Sequence, residues 1–129
     1  MKLTKDQKLL RAVILGNEAD VKEMLSQGAN PDAKDYEHYP ALWLAAEKGY
    51  TRIAEMLLDK GADINYENAR GSRAIYVAAN NGQTETVKLL LERGASVEYD
   101  FHGFNPLLTA IAHDYTEIVN LLLEYGAQH

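Results

Sequence analysis

The dipeptide Gly-Ala stands at residues 28, 61, 94 and 126, at intervals of 33, 33 and 32. Each copy follows a short apolar run: Met24-Leu25, Met56-Leu57-Leu58, Leu89-Leu90-Leu91 and Leu121-Leu122-Leu123. Two further series keep the same phase. One is Ala12, Ala45-Ala46, Ala78-Ala79 and Ala110; the other is Gly16, Gly49 and Gly82, with Asp114 in the fourth place. A unit this small cannot bury its apolar face alone, so a fixed period of this length implies a solenoid in which each unit packs on its neighbours.

The third unit reads most clearly. Residues 73–79 form an expected helix of about two turns, in which alanines allow another helix to come close. Asn81-Gly82 ends it, with Gly82 in the left-handed position that favours glycine. Thr84 opens a second helix, expected to run to Arg93, whose Val87, Leu90 and Leu91 share one face at i, i+3, i+4 spacing. Gly94 stops that helix, and residues 95–104 must lead back to the next unit through a protruding hairpin.

This pattern resembles the ankyrin repeat over nearly the whole chain. The family's consensus is kept by Asp35, Leu42, Leu44-Ala45-Ala46, Gly49, Ile53, Leu57-Leu58 and Gly61-Ala62-Asp63-Ile64-Asn65. It is kept again by Gly71, Ala78-Ala79, Gly82, Glu85, Val87 and Leu89-Leu90-Leu91, then by Asp100, Gly103, Pro106-Leu107, Ala110, Glu117-Ile118-Val119 and the final leucines. The resemblance implies an all-α ankyrin-repeat solenoid of four helix-turn-helix units joined by β-hairpin loops. It implies a single domain over residues 1–129, with units at about 1–27, 28–60, 61–93 and 94–129. The shorter last interval places a one-residue deletion between Val97 and Asp100.

The departures are specific. The family's T-P-L-H tetrapeptide is replaced by Pro40-Ala41-Leu42-Trp43, Arg73-Ala74-Ile75-Tyr76 and Asn105-Pro106-Leu107-Leu108. Hydrogen bonds between units that the resemblance assigns to its Thr and His therefore lack their usual donors. Asn105-Pro106 still makes a sound helix start, whereas the second unit has no evident cap. The first unit begins directly in a helix carrying Lys2, Lys5, Asp6, Lys8 and Arg11, as an N-terminal cap should. The last unit keeps Leu108, Ile111 and Leu121 to Leu123 without polar replacement, which predicts an apolar end and either self-association through it or a longer parent protein whose next part covers it. The resemblance also likens Asn65 to ankyrin sites modified by an asparaginyl hydroxylase, against a plain reading in which it bonds its own turn.

Catalytic chemistry finds no foothold. There is no cysteine, hence no disulfide, thiolate ligand or Cys nucleophile. His38, His102, His113 and His129 show no i, i+4 pair; His102 with His113 would supply two metal ligands where a site needs three or four. Ser26, Ser72 and Ser96 sit in no nucleophile elbow, and the glycines match no phosphate-binding loop. No enzyme activity, cofactor or metal is expected. A net charge of −6 speaks against nucleic acid. No apolar run approaches the roughly 18 residues of a membrane span, and the N-terminus lacks an apolar signal core, so a cytoplasmic or otherwise intracellular location is expected.

The aromatic residues point elsewhere. Eight of eleven (Tyr36, Tyr39, Trp43, Tyr66, Tyr76, Tyr99, Phe101 and Phe104) fall in hairpins or at the tetrapeptide's fourth place. The resemblance makes these elements the lining of a concave groove that grips partner proteins. Tyr and Trp suit such a role because they join large apolar area to a polar tip and few rotamers. The expected partner-binding set is Tyr36, Glu37, Tyr39, Trp43, Lys48, Arg70, Ser72, Tyr76, Asn80, Phe101, His102 and Phe104. Trp43 and Tyr76 read equally as filling the volume of the missing His. The presumed groove charges, Glu37, Glu47, Lys48, Arg70 and Arg73, sum to +1, which favours contact by shape over steering. The function implied is a non-catalytic module for a partner protein or peptide. An engineered binder on the same scaffold is the second reading, against which framework drift such as Leu42 to Ile75 and Leu44 to Val77 argues.

Overall fold

Left-handed glycines punctuate the chain into helix pairs. The computed structural model describes residues 2–127, which form eight helices and no strand. They are α1 (Lys5–Leu15), α2 (Glu18–Ser26), α3 (Ala41–Lys48), α4 (Thr51–Asp59), α5 (Ala74–Asn80), α6 (Thr84–Glu92), α7 (Pro106–Ala112) and α8 (Thr116–Glu124). The odd-numbered helices stack on one another in one layer and the even-numbered ones in a second, with each pair packed across the layers. His129 lies outside the described residues.

Alanine sets the spacing within the inner layer. Ala41, Ala45, Ala46, Ala78 and Ala79 are fully buried, so the helix backbones meet without large side chains between them. Behind them Leu9, Leu42, Ile75 and Leu107 repeat one register, and Leu57, Leu90 and Leu122 another. These form a continuous core that no single unit could build.

The turn between the helices of each pair explains the second glycine series. Gly16, Gly49 and Gly82 adopt φ of 70°, 74° and 70°, and Asp114 takes φ 59° at the fourth place. A Cβ on Gly16 would stand 3.0 Å from the Tyr50 ring, and one on Gly82 would stand 2.9 Å from the Tyr115 ring. Each unit thus lays a side chain from its own turn over the glycine of the unit before, which gives Tyr50 and Tyr115 a packing role.

Helix starts follow their local chemistry. Thr4 and Gln7 close a capping box on α1, and Asn105 Oδ1 accepts from Leu108 N at 2.8 Å with Pro106 in the first helical position. Pro40 gives α3 no side-chain cap, as the sequence suggests. Helix α5 begins one residue later than expected, with Arg73 as its cap residue, and α6 ends at Glu92.

The hairpins are slighter than expected. Only single bridges form, Lys34 with Pro40 and Phe101 with Phe104. Side chains do most of the shaping. Asp35 Oδ1 accepts from Glu37 N and Tyr39 N at 2.9 and 3.0 Å, and at the equivalent place Asn68 Oδ1 accepts from Arg70 N and Ser72 N at the same distances. Neighbouring loops are also tied together. Asp63 N donates to Asp32 Oδ1 at 2.8 Å, and Ser96 N to Asn65 Oδ1 at 3.0 Å. The Asn65 amide therefore links two units rather than bonding only its own turn.

The C-terminal end is apolar and exposed as expected, whereas the N-terminal end departs from expectation. At the C-terminal end Ile111 is 41% exposed, although the equivalent Val13, Ala46 and Ala79 are fully buried. The N-terminal end places Arg11 and Asp20 where later units bury Val77 or Ile53, in keeping with a cap, yet it also exposes Leu3, Ile14 and Leu15. The polar cap is thus incomplete.

Candidate functional site

Inner helices and loops together form a concave groove of about 290 Å³ that runs over the second and third units to the loop that opens the fourth. Two aromatic pairs form its walls. Tyr39, in the loop just before α3, and Trp43, in its first turn, have ring centroids 4.4 Å from each other. Tyr76 of α5 meets Phe101 of the following loop at 4.8 Å. Tilted rings about 4.5 Å apart or a little more attract beyond their area of contact; the second pair stands in that range and the first at its lower edge. All four rings keep part of their surface open.

Polar groups fill the floor between the rings. Trp43 Nε1 donates to Ser72 Oγ at 3.0 Å, which fixes the indole against the next loop. Asn81 Nδ2 and Gln83 Nε2 both donate to the Glu47 carbonyl, at 3.2 and 3.0 Å. Asn80 Oδ1 accepts from Thr109 Oγ1 at 2.7 Å. The bonds that the missing tetrapeptide would supply are thus replaced by Trp43–Ser72 and Asn80–Thr109, both of which cross from one unit to the next.

Of the twelve expected binding residues, Tyr39, Trp43, Arg70, Ser72, Tyr76, Asn80 and Phe101 line this groove. Ser72 is buried and its hydroxyl is taken by Trp43, so it orients the indole and leaves little surface of its own. Glu37, Lys48, His102 and Phe104 do not line it. His102 instead packs edge-on against Phe101 at a loop tip of φ 50°, and Phe104 sits half-exposed beyond the bridge it makes with Phe101. Tyr36, 95% exposed, turns towards the first unit.

Glu47, Asn68, Val77 and Asn81 also line the groove and escaped the binding set. Asn68 could have been found as the counterpart of Asp35, one period on. Arg73, counted among the groove charges, is withdrawn from it. Its guanidinium lies 4.4 Å above the Tyr99 ring and pairs with Glu67 at 2.8 Å.

Tyr99, grouped with the groove aromatics by its position, is a structural residue. It is buried; its hydroxyl donates to the Gly71 carbonyl and accepts from Arg73 N at 3.0 Å. Burial pushes its phenol above the ordinary tyrosine value, more strongly than the Arg73 hydrogen bond pulls it down. Tyr66 likewise serves a neighbour, accepting from Lys34 Nζ at 2.7 Å.

Among the described residues no group of three or more His, Asp or Glu side chains gathers as a metal site. His113 is occupied by the Thr109 carbonyl at 2.9 Å and stacks on Tyr115. No helix among these residues is long and apolar enough to cross a membrane.

The family model for ankyrin repeats in three copies matches residues 3–68 and again 63–129. The 26S proteasome non-ATPase regulatory subunit 10 of Dictyostelium discoideum is 34% identical over 125 residues, which cover 96% of this chain and 40% of that protein. The chain thus spans well under half the length of that relative. Helix pairs punctuated by left-handed glycines, stacked in two layers and matched end to end by the family model, make this chain a member of the ankyrin-repeat family.

Proposed function

We propose that the concave groove binds a partner protein or peptide through its two aromatic pairs, with no catalysis of its own. Ankyrin repeats mediate protein–protein interaction, and the coarse reading follows from membership of that family. The observation that carries the finer one is the placement of Tyr39–Trp43 and Tyr76–Phe101 on adjacent units across one groove. Each ring is held by a neighbour but keeps an open face, so binding would freeze few rotamers. The Arg70 guanidinium and the Glu47 carboxylate offer orienting hydrogen bonds beside the rings.

Four units with the boundaries given above form one binding module in this reading. The similar Dictyostelium protein is by its name a regulatory subunit of the 26S proteasome. A folded subunit surface inside the cell is accordingly the partner class to try first. The test is affinity capture with mass spectrometry, run beside a Tyr76→Ala/Phe101→Ala variant of equal stability. Proteins retained by the wild type and lost by the variant support the groove. Identical recovery by both would place binding on another surface.

A further inference from the structure

A second depression, about 450 Å³ in volume, lies on the first unit between α1 and the loop that carries Tyr36. Its wall is almost wholly apolar, built from Leu3, Leu10, Ile14 and Leu15 with Tyr36 at the edge. Ile14 and Leu15 are 50% and 69% exposed. At the same registers the later units carry Glu47-Lys48, Asn80-Asn81 and Ala112-His113, so the first unit alone sets two large apolar side chains there. A cluster of this kind marks a contact surface.

Charge identifies the kind of contact. Residues 2–15 hold four Lys and Arg against one Asp, a local +3 in a chain of −6. Arg11 and Lys34 border the depression, and Lys8 borders an adjoining one that shares Arg11 and Leu15. None of the three forms an ion pair among the described residues; Lys34 meets only the Tyr66 hydroxyl. The wall also holds one carboxylate, Asp35, whose Oδ1 accepts from the Glu37 and Tyr39 N–H groups; set against Arg11 and Lys34 it leaves the depression itself at +1.

We infer that this depression docks an acidic amphipathic segment of a partner protein. Its apolar side chains would seat against Leu10, Ile14 and Leu15, and its carboxylates would face Lys8, Arg11 and Lys34. A bilayer fits less well, because the apolar wall is recessed between a helix and a loop and a flat surface would miss Leu10. The site continues the face of inner helices and loops onto the first unit; it rests on the reading of that face as a binding surface, but shares no lining residue with the aromatic groove and is tested apart from it.

The test uses the whole chain and a labelled synthetic peptide with Leu and Phe at i, i+3, i+4 and i+7 and Glu elsewhere, read by fluorescence anisotropy. Arg11→Glu/Lys34→Glu and Ile14→Ser/Leu15→Ser should each weaken binding by about tenfold or more, and salt should weaken it in the wild type. A peptide with Lys in place of Glu should prefer Arg11→Glu/Lys34→Glu, a rescue that also shows the variant is folded. Tyr76→Ala/Phe101→Ala should bind the acidic peptide as the wild type does. Loss there would move the peptide to the aromatic groove and overturn this site while sparing the earlier reading. Equal affinity for the two peptides, or none, overturns it outright. So does Arg11-dependent binding to phosphatidylserine vesicles without peptide binding, or concentration-dependent sedimentation that Arg11→Glu abolishes, which would assign the face to a second copy.

Discussion

Trp43 hands its indole N–H to Ser72 at 3.0 Å, across the boundary between the second unit and the loop of the third. In this family a histidine at the position of Trp43 would link units through its ring. Here a larger ring reaches the hydroxyl of buried Ser72, whose backbone N–H is held by Asn68 Oδ1. Trp43→Phe keeps most of the apolar contact and removes the donor. It should lower stability by about 0.5–1.5 kcal/mol, and Ser72→Ala by a similar amount. Because both variants delete one interaction, the double variant should cost less than the sum of the two, a coupling measurable by urea denaturation. Strict additivity would show that the bond contributes nothing.

Tyr99 gives the chain an alkaline sensitivity. Its hydroxyl serves Gly71 and Arg73 at once, so Tyr99→Phe leaves a backbone N–H and a carbonyl short of partners at a cost of about 1–3 kcal/mol. Burial holds the folded pKa above the unfolded one. The folded chain therefore keeps its proton where the unfolded chain has lost it. The stability tied to that proton is complete below the unfolded value of about 10 and is lost as pH rises through the folded value. The stability gap between wild type and Tyr99→Phe should be flat at neutral pH and narrow above that point. A gap that widened with pH would reverse the assigned shift.

Much of this architecture could be read from spacing alone. The period gave the helix pairs, and the Gly16, Gly49, Gly82 series located the turns, because only backbone conformation and close approach need glycine there. Which aromatics face the groove was less legible. Tyr99 and Tyr66 share the loops with Tyr39 and Phe101, but the former spend their hydroxyls on Arg73, Gly71 and Lys34. Such partners are set by three-dimensional proximity about one period away, which no local pattern encodes. The exposure of Ile14 and Leu15 is hidden for a different reason: α1 carries enough charge to read as a polar cap, while its last two residues are apolar.

Gly82 tests the relation between successive turns. Alanine there must hold φ near 70° and also meet the Tyr115 ring at 2.9 Å. The first effect alone costs roughly 1 kcal/mol, and the contact should add to it. In a Tyr115→Ala background the second contribution disappears, so Gly82→Ala should then cost less. An equal loss in both backgrounds would mean that the ring moves aside freely and plays no part in packing the units.

Position 111 tests where the stack is open. Ala46, Ala79 and Ile111 occupy one register, the first two fully buried and the third 41% exposed. Ala79→Ile forces a branched side chain between α5 and α7, where no room exists, and should cost about 1–3 kcal/mol. Ile111→Ala removes surface that is only partly covered, so its cost should stay on the order of 1 kcal/mol. The same substitution bears on association, since Ile111 and Leu123 together form the exposed apolar end. If that end pairs with another molecule of the chain, Ile111→Lys/Leu123→Lys should abolish concentration dependence in sedimentation while leaving the denaturation midpoint nearly unchanged. A wild type that sediments as a strict monomer at high concentration would remove self-association through this end. A midpoint that collapsed in the lysine variant would show instead that Ile111 and Leu123 belong to the folded core.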